Sequence, residues 1–376
     1  MAGRIIRRDH GDGGIDARGL DRWRLRWRVD GKRLTKSFHG SISDARKELR
    51  RLIKNADDGQ HVVPTSLTIA DYLRAWLDTD RGISPKTRER YQQLAERQII
   101  PHLGRTALQK LRPSHVAEWH ASLLANDLAA RTVGHAHRVL HRGLERAVAF
   151  EIISRNIAHV VPPPKVERAE VAILSADQIA EAMRRIEDHP LHPIAALAVA
   201  TGMRRGEICG LAWSSLDLEG AMVRVECSLE ETAAGLRIKP PKTRYGLRII
   251  SLPKSTVAIL REHSRRQLEQ RLLRGCGRPE AKDLVFTLAD CSPYPPDKLS
   301  RDWGNLVRDR KLPRVMFHAL RHSHASALIA AGVDIVTVSK RLGHGSPAIT
   351  LGVYAHLFNK TDDIAAQAIE RALGPS

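Results

Sequence analysis

The stretch Phe317–Ser326, FHALRHSHAS, sets three histidines and one arginine within seven positions. On a helix His318 and His322 stand at i, i+4, a spacing that suits zinc, while His318 and Arg321 at i, i+3 share one face and converge on an anion. A zinc-protease helix carries Glu directly after its first histidine, but Ala319 stands there, and no third Asp, Glu or Cys ligand is indicated nearby. An anion therefore fits better than a metal, with His322 and His324 read as core or capping residues.

Composition supports an anionic partner. The formal net charge of the 376 residues is +19. It is spread as +7, +5 and +7 over residues 1–65, 66–160 and 161–376, so every segment is basic. That distribution points to nucleic acid rather than to an acidic small molecule or a basic tail on a neutral enzyme. The four cysteines, Cys209, Cys227, Cys276 and Cys291, show no CxxC spacing and no framework density. They read as thiols in a reducing cytoplasm. MAGRIIRRDHGDGG lacks the apolar core of a signal peptide and no apolar run is long enough to span a bilayer, so a soluble cytoplasmic protein without a membrane partner is expected, nucleoid-associated when bound to DNA.

Outward from that stretch the chain divides into three parts. In residues 1–60, RWRLRWRVDGKRLTKSF alternates Arg22, Arg24, Arg26 and Arg28 with Trp23, Leu25, Trp27 and Val29. This predicts a two-stranded hairpin turning at Asp30-Gly31, with a following helix capped near Ser43. The arginine face suits a DNA groove. In residues 66–160 four helices are predicted: one opened by Thr68 and Asp71, one from Ser84-Pro85 to near Pro101, then 114–125 and 130–150. The proline-rich VVPPPKVERAE follows as a linker. The third part, 172–376, is mixed: helices from the Ser175/Gln178 capping box and from PIAALAVATG, three strands within 221–252, then helices to a tail at 362–373.

Four segments of this last part carry chemistry. In TGMRRGEICGL, Arg204 and Arg205 open a helix, whose free N–H groups favour phosphate, and spacing alone does not choose between them. PPKTRYGLRIISL puts Lys242 at a hairpin tip. HALRH contributes His318 and Arg321. RLGHGSPAITLGVYAH places His344 in a turn and Tyr354 on the next helix, the one tyrosine that follows a basic, histidine-rich cluster. A phosphodiester attacked by a phenol gains charge that arginines neutralise, and its departing oxygen needs a proton that a lysine supplies.

The order of these boxes over about 172–360 resembles the catalytic domain of the tyrosine recombinases, the phage-integrase type of site-specific DNA recombinase. The resemblance implies a multidomain, mainly α fold with small β-sheets: an N-terminal arm-type β-hairpin and helix module, a four-helix SAM-like core-binding domain and a mixed α+β catalytic domain. It implies that Arg204 and Arg321 grip the scissile phosphate, that Lys242 is the general acid and that His318 assists proton transfer. His344 would hydrogen-bond the phosphate, Tyr354 would form a 3′-phosphotyrosyl link, and Glu207 would be structural. It further implies no cofactor and no metal. The partners would be double-stranded DNA at core and arm sites, a homo-tetramer on that DNA, and a directionality factor or DNA-bending host protein. A type IB topoisomerase-like enzyme would share the chemistry, a non-enzymatic DNA-binding regulator would share the charge, and a metal nuclease is the weakest alternative.

Overall fold

A computed structural model of the chain describes residues 13–29, 31–57, 65–167, 173–241, 243–355, 369–371 and 373. Two compact units span Met1–Glu167 and Arg168–Ser376.

The first unit opens with β1 (Gly14–Gly19), β2 (Arg22–Val29) and β3 (Lys32–His39), followed by α1 (Ile42–Asp57). The alternation in β2 acts as its pattern predicts: Leu25 and Trp27 are buried with Ala45 and Leu49 of α1, while Arg22, Arg24 and Arg28 are exposed. The expected two-stranded ribbon is instead a three-stranded antiparallel sheet with β2 in the middle. β1 was hidden because GIDARG carries a single branched apolar residue, Ile15, which pairs with Leu25. This strand also supplies Asp16, 2.7 Å from Arg26, so Arg26 is an ion-pair partner rather than one of a row of four equivalent arginines. Ser41, not Ser43, caps α1, its Oγ accepting the Asp44 N–H at 3.2 Å.

Five helices follow: α2 (Ile69–Thr79), α3 (Pro85–Leu94), α4 (Ile100–Leu103), α5 (Pro113–Ala125) and α6 (Ala130–Ala149). Thr68 caps α2 by accepting the Asp71 N–H at 3.2 Å, and Ser84 caps α3 with Pro85 in the first turn. The helical run that begins at Pro85 ends at Leu103, near Pro101 as expected, but it is not one uniform helix. A π turn, Ala95–Ile99, relaxes the ladder, and α4 then takes Pro101 into its first turn, where a missing N–H costs nothing. Trp76, Trp119, Leu140 and Leu144 sit in the core of these helices. Gly143 permits close approach of α6 to α2, since a Cβ there would lie 2.9 Å from Leu73.

The second unit begins with α7 (Ala176–Arg185), capped reciprocally by Ser175 and Gln178, then α8 (His192–Thr201) and α9 (Arg205–Cys209). Strands β4 (Leu216–Asp217), β5 (Met222–Val225), β6 (Ser228–Thr232), β7 (Gly235–Lys239) and β8 (Arg248–Ser251) come next. The unit closes with α10 (Lys254–Leu273), α11 (Pro296–Asp309), α12 (Ala319–Ala330), α13 (Ile335–Leu342) and α14 (Pro347–Tyr354). The predicted strand AMVRVECSL breaks at Glu226–Cys227, because β5 joins the sheet β4-β5-β8 and β6 pairs only with β7. The hairpin tip therefore lies between β6 and β7. The segment containing Lys242 connects two different sheets and is no hairpin tip, while Lys242 itself lies outside the described residues. Of the expected tail helix 362–373, only 369–371 and 373 are described.

The main core gathers Leu197, Val223, Ile250, Leu260, Phe286 and Trp303, and a second cluster joins Ala325, Ile329, Val338, Leu342 and Tyr354. Cys276 and Cys291 form a disulfide, against the expectation of four thiols. Two sulfurs brought close suffice for one bridge, whatever the overall cysteine density, while Cys209 and Cys227 remain thiols. Among the described residues no helix is long and apolar enough to cross a membrane.

Candidate active site

The site is built on two helix ends. α8 stops at Gly202 and α13 at Gly343, both left-handed, with φ of 64° and 69°. A Cβ at Gly202 would lie 2.6 Å from the His324 ring, and one at Gly343 would lie 2.9 Å from the Arg248 guanidinium. Only glycine fits the turn and the packing at both points. The carbonyls freed at these ends carry the negative pole of each helix and attract cations. Arg321, 4% exposed, donates to Gly202 O at 2.5 Å and to Leu342 O at 2.7 Å, and Arg204 donates to Gly343 O at 3.1 Å.

Arg204 also caps α9. Its backbone N–H donates to Glu207 Oε2 and its Nη1 to Glu207 Oε1, both at 2.8 Å. Arg248, reaching in from β8, donates to the same carboxylate at 2.8 and 3.3 Å and to Arg341 O at 2.7 Å. Burial opposes the Glu207 charge, but the hydrogen bonds and charges of Arg248 and Arg204 together outweigh it and hold the carboxyl below its ordinary range. Among the described residues Arg321 pairs with no carboxylate. Burial first, then the positive charge of Arg204, disfavours its cationic form. Two guanidiniums, Arg248 buried and Arg204 partly open, thus share one carboxylate, and the buried Arg321 stands within electrostatic reach of both Glu207 and Arg204. That imbalance is a standing demand for an anion.

The histidines divide by role. His324 braces the fold: its Nδ1 meets Val199 O at 2.7 Å and its Nε2 accepts from Arg341 at 3.2 Å. His344 is fixed through Nδ1 to the buried Thr350 hydroxyl at 2.8 Å. Burial and then Arg321, Arg204 and Arg248 push its imidazole down to about 4, so it is neutral at pH 7. His318 stands at the start of α12, where burial of its ring first, then the charges of His322 and Arg321, push its imidazole down to about 4. His322 departs from the sequence reading. Its Nδ1 lies 2.7 Å from the Tyr354 hydroxyl. Tyr354 is 1% exposed among Ala325, Ile329, Val338 and Leu342, and burial raises its phenol to about 12 while Arg321 pulls the other way.

Arg204, His318, Arg321, His344 and Tyr354 thus lie in one unit, coupled through Arg321. Arg205 turns away, paired with Asp297 at 2.8 Å and bonded to Ser300 on α11. Metal holding by His318 and His322 finds no third ligand among the described residues. One histidine–carboxylate trio is present there, His141, Glu145 and His159, in the first unit. Sequence reading missed Arg248, although it shares a strand face with the buried Ile250, and an arginine on the inward face of a strand demands a buried anion partner. Arg341, and the bond from His322 to Tyr354, carried no comparable signal.

Residues 172–361, half of the chain, match the phage integrase family, and residues 68–124 match the phage integrase N-terminal SAM-like domain. An integrase of Streptomyces ambofaciens is 29% identical over 93% of this chain and 93% of its own length. A tyrosine recombinase XerC-like protein of Caldanaerobacter subterraneus is 25% identical, covering 90% of this chain and 92% of its own. Among solved structures, the Tn1549 transposon integrase in complex with a circular intermediate DNA superposes with a TM-score of 0.69 at 22% identity, over 82% of this chain and all of that one. The chain belongs to the phage integrase family and is a tyrosine-type site-specific recombinase.

Proposed function

We propose that this recombinase, which integrates and excises a mobile element, cuts and rejoins DNA strands through a 3′-phosphotyrosyl link to Tyr354. The observation that carries the reading is the cation excess around Glu207: Arg204 and Arg248 share its carboxylate, Arg321 lies within electrostatic reach with only backbone carbonyls as hydrogen-bond partners, and a scissile phosphodiester supplies the missing negative charge. Arg204 and Arg321 grip the phosphate, where their forks match its non-bridging oxygens and neutralise the charge that develops on attack. His344, held by Thr350, presents its other nitrogen to the phosphate. Lys242 protonates the departing 5′-oxygen and His318 assists proton transfer. Glu207 and Arg248 position Arg204 without touching DNA.

Because the phosphotyrosyl bond keeps the energy of the diester, rejoining needs no nucleotide cofactor and no metal. Exchange of two strand pairs between two duplexes takes four nucleophiles, hence a tetramer on DNA, with residues 362–373 packing into a neighbouring protomer. Residues 1–60 read arm sites, 66–160 bind the core site and 172–376 catalyse. A directionality factor or DNA-bending host protein completes the assembly in the cytoplasm. The test is Tyr354→Phe on a nicked suicide substrate carrying the core site of the element: it binds but forms no covalent complex, and an adduct from that variant would refute the reading.

A further inference from the structure

We infer that His141, Glu145 and His159 form a structural site in the first unit for one divalent transition-metal ion with the ligand preference of zinc. The site lies apart from the strand-exchange chemistry and does not depend on the roles given to the catalytic residues.

His141 and Glu145 are four residues apart on α6, so one helix face presents an imidazole and a carboxylate a turn apart. α6 closes with Glu151 in the left-handed region, at φ of 57°, and the Ile152 N–H donating back to Ala147 O at 2.9 Å. A short 3-10 turn, Ile157–His159, then brings a second imidazole against that face. His159 Nε2 lies 2.7 Å from Glu145 Oε1, and its Nδ1 lies 3.2 Å from His141 Nε2. The two rings meet edge to face with 4.4 Å between centroids. One ligand atom from each side chain falls within 4.8 Å of the other two. Ligand atoms on a tetrahedral zinc ion stand about 3.3 Å apart, so small side-chain rotations close the trio on an ion.

The surroundings support a metal site over a chance contact. Asn156 is 7% exposed and caps the 3-10 turn, its Oδ1 accepting the Ala158 N–H at 2.9 Å. Its Nδ2 donates to Glu145 Oε1 at 2.6 Å and to His141 O at 3.0 Å. One buried amide thus holds the turn that carries His159 and orients the carboxylate, as the outer partners of metal ligands do. Arg142 and Arg146, next to the ligands in sequence, lie over the rings of Tyr91 and Phe150. Two imidazoles select against magnesium and calcium, which take oxygen ligands, and with one carboxylate they suit zinc. Glu145 and His159 are exposed, which leaves room for water to complete the shell. An ion here ties residues 151–159 to α6, directly before the proline-rich run VVPPP.

The experiment uses the full chain, stripped by chelator and returned to chelator-free buffer. Calorimetric titration with zinc is expected to show one saturable site per chain, and Co2+ in that site should absorb visible light more intensely than the aqueous ion. His141→Gln, Glu145→Gln and His159→Gln should each weaken zinc binding by at least about 100-fold, the upper end of what losing an outer partner costs. His102→Gln, at an exposed histidine of the same unit, should leave it unchanged. Zinc should raise the thermal midpoint of the parent and slow its amide exchange over residues 151–159, and do neither in His159→Gln. All three ligand side chains lie outside the core, so the variants keep the fold; should one lose it, the other two carry the comparison. Zinc affinity unchanged by Glu145→Gln and by either histidine substitution would mean adventitious binding and overturn the inference, as would the lack of a saturable site in the parent.

Discussion

Arg248 and Glu207 form an ion pair at 2.8 Å with side chains only 6% and 4% exposed, and Arg204 shares the same carboxylate. A buried pair of this kind is costly to half-remove, because the surviving charge stays out of water without a partner. Glu207→Gln leaves Arg204 and Arg248 facing each other beside Arg321. The variant is expected to lose about 3–5 kcal/mol of unfolding free energy in urea titration. Sulfate, standing in for the phosphodiester, is expected to restore more stability to the variant than it adds to the parent. An unchanged urea midpoint would show that the carboxylate does not organise the cluster.

The titrating groups set opposite limits on stability. His324 and His344 are held neutral, their pKa values pushed to about 4 by burial and neighbouring arginines, whereas an unfolded histidine titrates near ~6.5. Between those values the unfolded chain binds more protons, so stability is lost as pH falls from about 6.5 toward 4. Glu207, depressed below its ordinary value, adds to the loss at the acid end. Tyr354, raised to about 12, favours the folded state until pH passes the ordinary phenol value near ~10, and stability then declines toward 12. Thermal midpoints across pH should fall on both sides, and His324→Gln should flatten the acid limb. A midpoint constant from pH 7 to 4.5 would contradict this.

Much of this was written locally. Thr68, Ser84 and Ser175 cap the helices they precede, because a short side-chain oxygen followed by a helical pattern has few other uses. The alternation of β2 names its buried face, and the left-handed glycines 202 and 343 end helices where the pattern stops. Failures came where distant partners decide. The π turn before Pro101 left no mark in the pattern, and residues 221–229 look like one strand until two sheets compete for them. Cys276 meets Cys291 through a chain reversal that spacing does not reveal. His322 read as packing because a histidine one position after a site arginine gives no hint that a tyrosine thirty-two residues later will close on it.

The N-terminal sheet offers an electrostatic test. Arg22, Arg24 and Arg28 are exposed on β2, whereas Arg26 is tied to Asp16. If these arginines neutralise phosphates of arm-site DNA, replacing all three exposed ones by Gln lowers the slope of log K against log salt by up to about 0.9 for each phosphate no longer neutralised. Arg26→Gln is expected to change that slope much less, since its charge is already partnered. Measurement by fluorescence anisotropy over a salt series distinguishes the two. Equal slopes for the parent and the triple variant would remove the sheet from the DNA-binding surface.

The neutral histidines predict one more behaviour, and it concerns binding rather than stability. His344 and His318 are kept from protonation by burial and by an excess of nearby positive charge. A phosphate seated between Arg204 and Arg321 cancels part of that charge and favours the imidazolium forms, so DNA binding should draw protons from solution. Affinity for core-site DNA is expected to rise as pH falls from 7.5 to 6, opposite to the trend in folding stability. Titration calorimetry in buffers of different ionisation enthalpy would register up to about two protons taken up per protomer. Arg321→Ala, which removes positive charge beside His344, should reduce that uptake because the histidine then titrates nearer its ordinary value before DNA arrives. Binding without net proton uptake at pH 6 would mean that the phosphate does not sit among these groups.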